Sequence, residues 1–202
     1  WRAADLMSET DPLYFGRPGS IASRGANFVQ QNSDFIMTLG ARLDLPQVGH
    51  NYGSFARGAK KVVVDIDPRE IAKLDMRVDV KAACGAKEFI AEFSRAAKKN
   101  KRTDMSSWLA KCREWKRRYP VGLGALERPA GLVNTYSLVS ALSDLMTGRD
   151  VLVPGSSGAC AEVTMQAFRV KPGQRVLNTP GLGSMGFGLP ADNLHAPNEK
   201  FH

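Results

Sequence analysis

The sequence predicts an α/β protein with parallel sheets flanked by helices. Short β-branched or apolar runs end at glycines or turn residues, and stretches with helical spacing separate them. With 43% hydrophobic and 24% charged residues in 202, the chain has the composition of a globular protein with a core. That balance excludes wholesale disorder, a collagen-like repeat and a disulfide-built miniprotein.

Ser20 to Gln31 reads as a short helix, and Asp34 to Leu39 as a buried strand closed by Gly40. Val62 to Ile66 is a second strand, reached through a loop holding Gly49, Gly53 and Gly58. Pro68 opens a helical piece from Arg69 to Leu74, and Ala86 to Lys98 carries Phe89, Ile90 and Phe93 at helical spacing. Strands separated by helices imply parallel pairing. Residues 1–100 form one segment, and residues 101–132 hold a basic helix and a Gly/Pro-rich linker. A new unit follows over 133–191, with residues 192–202 left as a tail. In it Thr135 to Met146 is a helix whose Leu138, Leu142 and Leu145 share a face, and Asp150 to Val153 is a strand. Ala161 to Phe168 is the next helix, and Gln174 to Leu177 the next strand.

The 28 Lys+Arg against 20 Asp+Glu leave a formal charge of +8. Much of it lies in residues 97–102 and 111–118, interleaved with Trp108, Trp115 and Tyr119. Such a run could neutralise phosphates, yet Trp108, Cys112, Trp115 and Tyr119 fall on one helical stripe. The favoured reading is an amphipathic helix with a solvated basic face, so nucleic acid is not the expected partner. Three cysteines, Cys84, Cys112 and Cys160, form no disulfide framework and no CxxC pair, and are read as reduced thiols. No apolar run reaches the roughly 20 residues needed to cross a bilayer, and no signal-peptide pattern is present. A soluble, cytoplasmic chain without membrane contact is expected. The first residue is Trp, so the sequence is expected to begin inside a longer protein.

Two glycine-rich turns carry the chemical signal. In Val153-Pro154-Gly155-Ser156-Ser157-Gly158-Ala159 a strand end passes through small residues into a helix start. There the first backbone N–H groups and the positive dipole end suit a phosphate without a lysine. Gly181-Leu182-Gly183-Ser184-Met185-Gly186 spells GxGxxG, but the βαβ unit and distant acidic residue of a dinucleotide fingerprint do not follow. Its glycines still admit a ligand close to the backbone.

Together these turns, with Gln174-Arg175-Val176 between them and Phe187-Gly188-Leu189-Pro190-Ala191 after them, resemble the opening of the diphosphate-binding domain of thiamine diphosphate enzymes of the acetolactate synthase type. Upstream, Gly40-Ala41-Arg42-Leu43-Asp44, Phe55 to Lys60 and Val64 to Ile71 resemble that family's Rossmann-like central domain. The resemblance implies a lyase or transferase acting on 2-keto acids with thiamine diphosphate and magnesium, assembled as a homo-oligomer in full-length form. It also implies that Ser156, Ser157, Gly158 and Ala159 meet the diphosphate. The Gly183 carbonyl accepts from the cofactor's amino group, and Met185 supports its bend. Leu45-Pro46-Gln47 stands where flavin-binding relatives place an arginine, so FAD is not expected. The family's pyrimidine domain and its Gly-Asp-Gly magnesium motif are absent from these 202 residues, so weak cofactor binding, no catalytic residue and inactivity alone are the expectation. The alternative is a non-catalytic module that associates through exposed sheet edges.

The end of the chain, Asp192 to His202 with its HAPNE sequence, resembles the C-terminal segment of zinc aminoacylase and dipeptidase-type peptidases. Metal is not expected there, because only His50, His195 and His202 are available and zinc needs three or four converging ligands.

Overall fold

The computed structural model describes residues 3–100, 103–122, 131–155, 158–179 and 181–195. It divides into two compact units, Pro18–Arg118 and a unit made of Trp1–Arg17 with Tyr119–His202. Among the described residues no helix is long and apolar enough to cross a membrane.

The mid-chain unit is built on three parallel strands in sequence order, β1 (Phe35–Leu39), β2 (Lys60–Asp65) and β3 (Val80–Ala83). Met37 pairs with Val62, and Val64 pairs with Ala82. Helices α1 (Arg24–Asn32), α2 (Leu45–Val48), α3 (Pro68–Ala72), α4 (Ala86–Ala97) and α5 (Ser106–Arg118) complete it. Local chemistry sets several starts. The Ser23 hydroxyl caps α1 by accepting from Ala26 N–H. Asp67 caps α3 by accepting from Arg69 N–H, with Pro68 at the first helical turn, where its missing N–H costs nothing. Leu43, Phe55, Ala56, Val63, Ile71 and Leu74 form the core. Each fully buried large aliphatic or aromatic side chain among them contributes roughly 1.5–3 kcal/mol.

The basic helix is part of this unit. Helix α5 packs on α1, with Cys112 fully buried and the Trp115 ring 6.0 Å from Phe28 and 5.9 Å from Trp108. Burial pushes the Cys112 thiol up, which keeps it protonated. The aromatic stripe therefore faces protein, while Lys111 and Arg113 stay exposed. Helix α4 behaves differently from its pattern. None of its residues is buried, and Ile90 and Phe93 are half-exposed.

The terminal unit contains α6 (Thr135–Leu145), β4 (Val151–Leu152), α7 (Gly158–Ala167), β5 (Arg175–Val176) and α8 (Gly188–His195), with β4 and β5 parallel. Its core joins Val139, Leu152, Val163, Phe168, Val170 and Val176. Asn134 caps α6 by accepting from the Tyr136 and Ser137 N–H groups. Here the leucine periodicity misleads. Leu138, Leu142 and Leu145 face outward, and α6 buries Val139 and Ser143 instead. Ser143 satisfies its hydroxyl on the Val139 carbonyl and accepts from Arg169 N–H, so a small polar residue is accommodated on the packed side.

At Gly25 a side chain would sit 3.0 Å from the Trp115 carbonyl oxygen. Gly25→Val is therefore expected to destabilise the chain by about 1–3 kcal/mol through overpacking of α1 on α5. An unchanged urea midpoint would contradict that contact.

Candidate functional site

Both glycine-rich turns lie in the terminal unit, each following a strand. The first leaves β4 at Leu152 and reaches α7 at Gly158. A Cβ at Gly155 would lie 2.3 Å from Sγ of the exposed Cys160, so a side chain there would displace that thiol. The glycine thus lets the first turn of α7 close tightly over the chain that feeds it. Gly158 adopts φ +60°, and both Gly158 and Ala159 are exposed, leaving the helix start open to solvent. The first four N–H groups of any α-helix have no partner within it, and the dipole adds partial positive charge there. Ser156 and Ser157 lie outside the described residues.

The second turn leaves β5 at Val176. Gly183 N–H donates to the Thr179 carbonyl at 3.1 Å, and Gly183 and Gly186 take φ +60° and +81°. Such angles favour glycine. The turn feeds α8, whose first residue closes the arrangement. A Cβ at Gly188 would lie 3.5 Å from the Val153 carbonyl oxygen and 3.9 Å from Gly155 N. The two turns are therefore neighbours, in backbone-to-backbone approach. Met185 is 91% exposed, so it serves no core.

Asn178, just after β5, was not singled out by any sequence pattern. Its Nδ2 donates to Met165 Sδ at 3.5 Å, while its buried Oδ1 has no donor among the described residues. A buried acceptor without a partner is costly and marks a place where a ligand donor or water fits. Gly188 was legible only as one glycine among several; the contact it makes is between segments more than thirty positions apart.

Charge holds the strands under the turns. Arg175 Nε donates to Asp5 Oδ2 at 2.7 Å, and Val176 N–H donates to the same oxygen at 3.0 Å. Burial disfavours ionised Asp5, but the Arg175 hydrogen bond, the Val176 N–H and the Arg175 charge together outweigh it and hold the carboxyl below its ordinary value. At the other end, Asp150 accepts from Thr147 N–H and Oγ1–H, which lowers its pKa and shapes the turn into β4. Among the described residues no group of three or more His, Cys, Asp or Glu could hold a metal ion. His195 ends α8, and residues 196–202 lie outside the described residues.

An open helix start with an adjoining glycine turn suits the diphosphate end of an extended cofactor. Residues 1–93 match the family model described as thiamine pyrophosphate enzyme, central domain. Over those residues the chain is similar to the central domain of the thiamine pyrophosphate enzymes. Within this class it is similar to the acetolactate synthase large subunit of Cyanidium caldarium, 31% identical over 193 residues that cover 92% of this chain and 31% of the relative. The large subunit of Corynebacterium glutamicum is 30% identical over 191 residues, covering 94% of this chain and 30% of its own. Probable acetolactate synthase 2, chloroplastic, from Oryza sativa subsp. japonica is 31% identical over 186 residues, covering 90% and 27%. The likeness thus extends well past residue 93, through the terminal unit. The chain spans about 30% of the length of these relatives.

The Asp5 linkage has a pH signature. A depressed folded-state pKa gives stability that is complete above the unfolded value of about 3.9 and is lost as pH falls through the folded value. Asp5→Asn is expected to lower Tm at neutral pH, with the difference from wild type shrinking as pH falls below about 3.9. A difference that stays constant across that range would contradict the linkage.

Proposed function

We propose that the two turns of the terminal unit bind thiamine diphosphate, and that the whole protein acts on 2-keto acids, a reading supported by its likeness to proteins named acetolactate synthases. The observation that carries this is Gly188 lying against Val153 and Gly155, which brings the open start of α7 and the Gly183–Gly186 turn to one place. In this reading the first N–H groups of α7, at Gly158 and Ala159, donate to the diphosphate, with the hydroxyls of Ser156 and Ser157 beside them. The Gly183 carbonyl accepts from the amino group of the cofactor's pyrimidine. Met185, projecting into solvent, packs under the bend between the two rings. Bound there, the cofactor supplies bond making and breaking at the keto carbon of a 2-keto acid, with lyase or transferase outcome.

Magnesium belongs to this reading as the counter-ion of the diphosphate, yet these residues contain no Gly-Asp-Gly motif and, among the described ones, no three-ligand cluster. The 202 residues thus offer the cradle without the metal ligands, and binding by this chain alone is weak and non-catalytic. Flavin is left out of this reading, because Pro46 occupies the first turn of α2 and no arginine stands at Leu45-Pro46-Gln47. The outward leucines of α6 are surfaces that assembly into a homo-oligomer would cover.

Calorimetric and ligand-observed NMR titration of the chain with thiamine diphosphate and magnesium tests this. Expected is a Kd well above about 1 μM, weakened several-fold further by Met185→Ala, whose exposed side chain leaves Tm unchanged. No detectable contact, or contact indifferent to Met185→Ala, overturns the cradle. A Kd at or below about 1 μM overturns the missing-metal argument.

A further inference from the structure

The mid-chain unit has a hollow of about 340 Å³ whose lining includes Tyr52, Arg57, Gly58, Lys60, Lys61 and Arg77. These residues precede or open β2 and β3, so the hollow sits at the amino ends of the parallel strands. Ligands of open α/β sheets gather at the opposite, carboxyl ends, and the turns of the terminal unit also follow their strands. This hollow is therefore a separate place with its own chemistry.

Its charge is lopsided. Arg77 is paired with Asp79 at 2.6 Å, and Asp79 also accepts from Lys61 N–H at 2.9 Å. That leaves Arg57, Lys60 and Lys61 with no carboxylate in ion-pair contact among the described residues, the Lys61 charge acting on Asp79 only from a distance. Lys61 is the informative one. It is only 6% exposed, and its ammonium has one protein acceptor, the Ala59 carbonyl at 3.3 Å, for three N–H donors. A cation withdrawn from water and so poorly supplied with acceptors is costly, and Arg57 and Lys60 line the same hollow. An anion with several oxygens relieves that cost. Gly58 borders open space, since a Cβ there would meet nothing within 4 Å, so backbone and ligand can approach closely. The concave form and modest volume suit a small molecule better than a polymer laid across a surface.

We propose that this hollow binds the phosphate groups of a small phosphorylated molecule, with Lys61 at its base and Arg57 and Lys60 at its rim. The inference stands apart from the cofactor reading, because it uses different residues in a different unit.

The test is chemical-shift mapping of the full chain with inorganic pyrophosphate, and with AMP in a parallel titration. Saturable shifts are expected at the Gly53, Gly58 and Lys61 amides, with Kd weakened at least tenfold by Lys61→Met and by Arg57→Ala. Arg57 is exposed, so its variant reads the site even where Lys61→Met unfolds the chain. The control Lys87→Ala, on exposed α4, is expected to bind as wild type does. AMP binding that also shifts Tyr52 identifies a nucleoside phosphate; pyrophosphate binding alone identifies the free phosphate chain. Unshifted amides around Gly58, equal weakening by Lys87→Ala, or tighter binding of duplex DNA to the same residues each overturn the proposal.

Discussion

Backbone meeting backbone at Gly188 is the constraint on which the terminal unit's site depends. With no side chain there, the start of α8 lies against the Val153 carbonyl and the Gly155 nitrogen at ordinary contact distance. At Gly155 an added side chain would have to displace the exposed Cys160 thiol. Two strand ends thus converge where the chain carries glycine. Around them, buried apolar side chains and the Asp5–Arg175 pair hold β4 and β5 in parallel register, so the turns inherit their position from the core. What the turns then present is the exposed start of α7 and an exposed methionine, which is surface suited to a ligand.

The mid-chain unit solves a different problem. Its three parallel strands bury one compact cluster, and α5 seals α1 with an aromatic stripe while its lysines and arginines remain in water. The positive charge of the chain is therefore not one patch. Part of it solvates α5, and part is gathered round a hollow at the strand starts, where one lysine is nearly buried. The first arrangement follows from amphipathic helix packing; the second has no structural rationale in the fold alone.

Much of this was legible in the sequence, for reasons that can be named. Strands β1 and β2 are short apolar runs with clear ends, and α1, α3, α5 and α6 carry caps, a leading proline or an aromatic period. Strand β3 was not seen: Val80-Lys81-Ala82-Ala83 has no periodic signal and exists because β2 offers it a partner. Four-residue α2 is likewise set by tertiary contact. On α6 periodicity revealed two faces but not which turns inward; three leucines lost to Val139 and Ser143 because Arg169 and the neighbouring α7 meet the polar side. Similarly, Phe93 and Ile90 mark a face of α4 that the described residues leave uncovered. In the candidate site, the glycine turns announced themselves, while Asn178 and the role of Gly188 depend on segments brought together only by folding.

Proton NMR reads the central contact most directly, through the nuclear Overhauser effect between the Gly188 Hα protons and the Gly155 amide. The geometry predicts a clear cross-peak in the free chain, before any ligand is added. Its absence, with both resonances assigned and sharp, would mean that the two turns do not meet and that no common cradle exists.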